Sequence, residues 1–183
     1  MKYKLKWELP HDAVTCLGWL LSARGVDDIE GYVYPSKDYE LNPRLLDNID
    51  RAANLLKKHL DNDSNILLVQ DCDTGGIMSS AMLWLYIKDF YPNAKLEYIC
   101  HEHKQHGLED IIDDIEESDY DLIILPDASS NDYDYHERLY NAHKDILVID
   151  HHEAEKYSCY AVVVNNQLST NYSNKSFSGA GIV

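Results

Sequence analysis

Acids and histidines recur in this chain at one kind of place, just after a short apolar run. Ile66-Leu67-Leu68-Val69-Gln70 leads into Asp71-Cys72-Asp73-Thr74-Gly75-Gly76. Leu122-Ile123-Ile124-Leu125-Pro126 leads into Asp127, and Ile146-Leu147-Val148-Ile149 into Asp150-His151-His152. Hard oxygen donors with added imidazole suit Mn²⁺ or Mg²⁺ better than a thiolate-preferring ion. One carboxylate bridging two ions ~3.5–4 Å apart is the usual form of a hydrolytic two-metal centre, which activates water and neutralises a phosphate oxygen. Each piece has a plainer reading. Asp71 and Asp73 could simply form a turn, and Asp127 could cap a helix, with Ser129, Ser130 and Asn131 as rivals. Adjacent histidines at a strand end seldom serve packing alone. Taken together, at matching positions, the groups favour a metal site.

That convergence requires the apolar runs to be parallel neighbours. The pattern supplies this. Strands are expected at residues 66–69, 95–100, 122–125, 146–149 and 161–164, and helices at 76–91, 108–117 and 131–143 between them. Such alternation predicts an α/β fold, a parallel sheet of about five strands with helices on both faces. Right-handed crossovers place every strand's carboxyl end on one edge, where open sheets bind ligands. Helical spacing also appears earlier, at Val14, Leu17, Leu20 and Leu21, and again at Ile49, Ala53, Leu56 and Leu60. The expected division is a helical entry segment, residues 1–64, packed on an α/β domain, residues 65–183, which is either cut at its carboxyl end or a natural short form.

The 183 residues carry a formal net charge of -16, which argues against a general electrostatic grip on nucleic-acid phosphates but not against a local groove or bound cations. Some of the fourteen tyrosines could stack on bases, though most read as ordinary core and surface residues. No run approaches ~18 apolar residues, and residues 1–7 lack a signal-peptide core, so a cytoplasmic protein with no membrane role is expected. The four cysteines form no Cys-x-x-Cys pair and read as free, mostly buried thiols, with Cys72 a packed strand residue. His101, His103 and His106 read as solvated loop residues, and His11, His59, His136 and His143 as surface residues of helices. No Gly-x-Ser-x-Gly, Walker or dinucleotide fingerprint is present.

These residues resemble a known family. Asp150-His151-His152 is the signature of the DHH phosphoesterase superfamily, and the chain is similar to the amino-terminal part of RecJ-like single-strand-specific exonucleases. Leu20-Leu21-Ser22-Ala23-Arg24-Gly25-Val26-Asp27-Asp28 resembles the RecJ entry L-x-x-R-G-I-x-D. Asp71-Cys72-Asp73-Thr74-Gly75-Gly76-Ile77-Met78-Ser79-Ser80-Ala81 resembles D-x-D-x-D-G-I-T-S-x-A. Gln105-His106-Gly107-Leu108 resembles the G-Y-G-L turn, residues 122–130 resemble L-I-I-x-x-D-x-G-x-S, and Ser178-Gly179-Ala180-Gly181 resembles the G-A-G motif.

The resemblance implies a two-ion, Mn²⁺-dependent (or Mg²⁺-dependent) phosphodiesterase acting near a 5′ end. By motif position, Asp71 and Asp73 bind the first ion, Asp127 bridges and His151 binds the second. Asp150 supports or joins the ligand set, and His152 meets the phosphate or a ligand. Two departures stand out: the third aspartate of the first motif is Gly75, and a later ligand aspartate lies beyond the last residue. Ala128-Ser129 also replaces the usual x-Gly. RecJ proteins carry DHH-associated and OB-type domains that shape the DNA groove, and neither is expected within these 183 residues. The expectation is a weak or inactive RecJ-type exonuclease domain whose partners are single-stranded nucleic acid, in a full-length form, and a replication or repair protein. Two alternatives remain: a non-catalytic scaffold or nucleic-acid-end binder, and an enzyme for short oligonucleotides or cyclic dinucleotides. The small-substrate branches usually place a histidine ahead of the aspartate pair.

Overall fold

The computed structural model describes residues 12–100 and 107–183. Residues 1–7, His11, His101, His103, Gln105 and His106, to which expectations were attached, lie outside them. The chain divides into two compact units between Leu41 and Asn42.

In the first unit, α1 (Ala13–Ala23) begins at Asp12, whose carboxylate accepts a hydrogen bond from the Thr15 amide at 2.8 Å. Gly25, at φ +79°, ends the turn after it in the left-handed conformation glycine tolerates. Asp28 caps α2 (Ile29–Val33) by accepting from the Gly31 amide at 2.9 Å. Of the expected apolar stripe only Leu21 is buried, while Val14, Leu17 and Leu20 remain exposed. A five-residue α2 offers too little surface to cover a three-turn stripe.

The second unit holds α3 (Ile49–Asp61), β1 (Ile66–Gln70), α4 (Thr74–Phe90), β2 (Leu96–Cys100), α5 (Ile112–Glu116), β3 (Leu122–Pro126), α6 (Tyr133–Asn141), β4 (Asp145–Asp150), β5 (Val162–Asn165) and α7 (Gly179–Ile182). The five strands form one parallel sheet in the order β2-β1-β3-β4-β5. Leu68 pairs with Tyr98 on one side and Ile124 on the other, Ile124 with Leu147, and Leu147 with Val162. The chain moves outward from β1 to β2 and then returns to the far side of β1 as β3. That reversal opens a crevice at the carboxyl ends of β1 and β3, the place where doubly wound sheets bind ligands.

Both sheet faces are covered, so the central strands read as continuous apolar runs. On one face Leu67, Val69, Ile123, Leu125, Ile146 and Val148 pack with Ile112, Ile115 and Leu139 of α5 and α6. Residues of the other parity, such as Ile66, Leu68, Ile124 and Leu147, are equally buried, and α3, α4 and α7 contact the sheet. Each such side chain contributes roughly 1.5–3 kcal/mol by leaving water. No helix among the described residues is long and apolar enough to cross a membrane.

Three expectations need correction. The buried stripe of α3 runs through Ala52 and His59, not Ala53, because the helix rolls one position further onto β4 and β5. His59 and His136 are buried rather than superficial. His59 Nε2 lies 2.8 Å from Asp145 Oδ2, and His136 shares the inner face of α6 with Leu139. The cysteines are free but not mostly buried. Cys100 and Cys159 are exposed, and Cys72 is half-buried in the turn after β1 because the strand ends at Gln70.

Candidate metal centre

Four adjacent strands deliver polar side chains at their carboxyl ends: Asp71 after β1, Asp127 after β3, Asp150 closing β4 and Asn165 closing β5. All four are almost wholly buried. The turn after β1 continues to Asp73, which caps α4 by accepting from the Gly76 amide at 2.9 Å and starts the helix two residues earlier than its apolar pattern suggests. Gly76 lies so close to the strand that a β-carbon there would stand 2.4 Å from Asp71 Cβ and 2.7 Å from Asp71 O.

Asp127 is the centre of the arrangement. Its backbone is left-handed, at φ +67°, and its amide donates to Ile149 O at 2.8 Å, so β4 anchors the turn that aims its carboxylate. Two three-donor groups meet on it. Donor atoms of Asp71, Asp73 and Asp127 lie within 4.8 Å of one another, and so do those of Asp127, His151 and His152. His151 Nε2 is 3.1 Å from Asp127 Oδ1, yet that oxygen, fully buried, accepts no hydrogen bond. Burial pushes Asp127 up to about 6, with His151 partly offsetting this and Asp73 adding to it. Glycines face it on two sides. A β-carbon at Gly75 would stand 2.3 Å from its Oδ2, and one at Gly179 would stand 1.7 Å from its Oδ1.

Asp150 is placed differently. Its Oδ1 accepts from the amides of His151 (2.7 Å) and His152 (3.2 Å) and lies 2.7 Å from His152 Nδ1, while its Oδ2 accepts from the Ser130 amide at 3.1 Å. Burial alone would raise its carboxyl, but the bonds from Ser130 and His152 outweigh this and hold it below the usual range. For His152 burial works downward, and the bond to Asp150 outweighs that and raises it. The structure therefore brings all six expected residues to one sheet edge. Asp71, Asp73, Asp127, His151 and His152 fall into the two donor groups, and Asp150 lies behind the histidines.

Sequence reasoning passed over the residues that hold this edge together. Asn165 Nδ2 donates to Ser130 Oγ at 2.8 Å and to His152 O at 2.9 Å, tying the loop after β3 to the loop after β4. Gln167 Nε2 donates to His151 O at 3.1 Å. Lys175 Nζ donates to the carbonyls of Asn166 and Ser169 at 2.6 and 2.7 Å, bracing the same segment. The signal was available, because Asn165 directly follows the fifth expected strand, as the acids follow theirs. Asp132 was also missed. Its Oδ2 accepts from Ser129 Oγ at 2.7 Å and from the Leu108 amide at 3.3 Å, and burial raises its carboxyl. A cavity of about 270 Å³ lies beside the centre, lined in part by Gly107, Asp127, Ser129, Asp132 and His152.

Known proteins share this architecture. Residues 65–183 match the model of the DHH family, N-terminal domain. The chain is 42% identical over 166 residues to YorK of Bacillus subtilis (strain 168), an SPbeta prophage-derived candidate single-strand DNA-specific exonuclease; the match covers 91% of this chain and 28% of YorK. Its fold is similar to that of exonuclease RecJ bound to manganese, with a TM-score of 0.68 and 23% identity, covering 78% of this chain and 37% of that one. It is also similar to RecJ from Thermus thermophilus in complex with Mn²⁺, with a TM-score of 0.67 and 22% identity, covering 88% and 22% of the two chains. The chain thus belongs to the DHH family, and residues 65–183 form its N-terminal domain, with a fold similar to that of RecJ.

Proposed function

We propose that this edge is the metal centre of a phosphodiesterase that acts on single-stranded nucleic acid from the 5′ end, as the RecJ likeness implies, and that it works slowly. The observation that carries the reading is Asp127. A buried carboxylate oxygen without a hydrogen bond, flanked by two donor groups and backed by two glycines, is a poor packing solution and a good cation seat. Asp71, Asp73 and Asp127 would hold one divalent ion, with Mn²⁺ favoured over Mg²⁺ by the nearby imidazoles. Asp127 and His151 would begin a second site.

Divalent ions bound there supply an activated water and offset the charge of the phosphate. The chain's own groups do the rest. Asp150 orients His152 and anchors both histidine amides. Ser129 and Ser130 line the neighbouring cavity, where a scissile phosphate and its sugar would lie. Gly75 supplies no carboxylate where the first motif of RecJ proteins has its third. Losing one ligand of a two-ion centre costs orders of magnitude in rate, which supports slow turnover.

The test is incubation of the chain with Mn²⁺ and single strands labelled at the 5′ or the 3′ end. The expected result is slow, Mn²⁺-dependent release of the 5′ label, abolished in Asp127→Asn. Release of the 3′ label alone, or turnover indifferent to Asp127, rules the reading out. Gly75 also favours a second reading, a scaffold that binds a nucleic-acid end or a replication or repair protein without cutting. Retention of a labelled strand with no cleavage in Mn²⁺ is the result that reading predicts.

A further inference from the structure

Position 75 faces the Asp127 carboxylate and offers no donor, since a β-carbon there would stand 2.3 Å from Asp127 Oδ2 and 3.1 Å from Asp73 Oδ1. Among the described residues, the side chains grouped with Asp127 on its other side are His151 and His152. His152 is half-exposed, and its Nδ1 lies 2.7 Å from Asp150 Oδ1. Asp150 is a buried acceptor, already bonded by three amides. A carboxylate in that role takes an N–H from the ring, which puts the imidazole proton on Nδ1 and leaves the lone pair on Nε2. This is the pairing that orients metal-bound histidines: one ring nitrogen donates to a carboxylate while the other meets the ion. The His151 ring lies alongside, with centroids 4.4 Å apart, and a nitrogen from each ring lies within 4.8 Å of an Asp127 oxygen. His151 Nε2 approaches the buried Asp127 Oδ1, the oxygen that accepts no hydrogen bond.

We propose that His152 is a ligand of the second ion, supplying through Nε2 the donor that position 75 lacks. This rests on the metal-centre reading above. The two sites then differ in chemistry. The first is built from three carboxylates and the second from one carboxylate and two imidazoles. Mg²⁺, which prefers oxygen, fills only the first; Mn²⁺, which accepts nitrogen, fills both.

The experiment uses the metal alone, without nucleic acid. Calorimetry of the unaltered chain is expected to show two Mn²⁺ per chain but one Mg²⁺. In His152→Gln the second Mn²⁺ is expected to bind about tenfold or more weakly, with the first unchanged. Because His152 is tied to a buried carboxylate, a second measurement avoids the variant altogether. Pulsed electron paramagnetic resonance of the Mn²⁺-loaded chain is expected to show two coordinated ¹⁴N nuclei at one ion. Two Mn²⁺ with a single ¹⁴N, or an unchanged second affinity in a folded His152→Gln, overturns the role of His152 and leaves the metal centre standing. A single Mn²⁺ with no ¹⁴N also overturns it. No Mn²⁺ at all overturns both this inference and the reading it rests on.

Discussion

The Asp127 carboxylate rests directly on the backbone of Gly179, at the first turn of α7, where a β-carbon would stand 1.7 Å from Oδ1 and 2.0 Å from Cγ. The G-A-G segment is therefore read as a spacing device, since its first residue must be small for the central carboxylate to keep its place. Gly179→Ala forces one of the two to move. We expect it to destabilise the fold by about 1–3 kcal/mol and to weaken Mn²⁺ binding more than a similar loss elsewhere, as checked by urea denaturation and by Mn²⁺ titration of the folded variant.

Asp127 itself sets function against stability. Its buried oxygen accepts no hydrogen bond, and Asp71 and Asp73 crowd it with further carboxylates. Asp127→Asn keeps the shape and removes the charge. In chelator, the variant is expected to melt at a higher temperature than the parent; in Mn²⁺, the parent gains stability and the variant does not. Scanning calorimetry with and without the ion measures both differences. A variant less stable in chelator contradicts the account of Asp127 as a buried charge whose Oδ1 accepts no hydrogen bond.

Asn165 joins the loops after β3 and β4 by donating to Ser130 Oγ and His152 O, and its Oδ1 accepts from the Gln167 amide at 2.7 Å. Asn165→Asp is nearly isosteric but has no N–H to donate. Leaving buried acceptors unmet is expected to cost about 1–3 kcal/mol and to loosen the histidine loop. Denaturation midpoints test the first effect, and amide hydrogen exchange at His151 and His152 the second.

His136 predicts acid sensitivity. It is fully buried, neither ring nitrogen has a hydrogen-bond partner, and burial depresses it to about 4. Between an ordinary value near 6.5 and about 4, the unfolded chain binds a proton that the folded chain refuses. This residue's contribution is therefore intact above pH ~6.5 and is lost as the pH falls toward 4, by up to roughly 3 kcal/mol. His136→Phe is expected to stabilise the fold and to flatten the pH dependence of Tm across that window. Parallel melting curves from pH 7.5 to 4.5 provide the comparison.

The edge was legible in the sequence to an uneven degree. Asp71, Asp127 and Asp150 could be found because each follows an apolar run, and a run of four or five buried residues signals its own end locally. Asn165 obeys the same rule but is uncharged, so composition gave it no weight. Gly75 and Gly179 looked like turn residues, although what they accommodate is the Asp127 side chain, about fifty residues away in sequence. His59 and His136 were misplaced because a polar ring on an amphipathic helix carries no mark of which way the helix is rolled.

By itself the sequence determined the class of fold, the positions of the strands, and the residue types available at their carboxyl ends. Period and length of apolar runs are local properties, set by which residues must leave water. Only the tertiary structure decided that β3 lies between β1 and β4, and that Asp127 therefore stands between the two aspartates and the two histidines. It also decided that Asp150 turns inward as an acceptor, and that Gly75 and Gly179 leave room for one carboxylate. Those outcomes depend on strand order, on a left-handed turn at Asp127 and on close approach between segments far apart in the chain. No periodicity records them, because they arise from contacts made only when the sheet has closed.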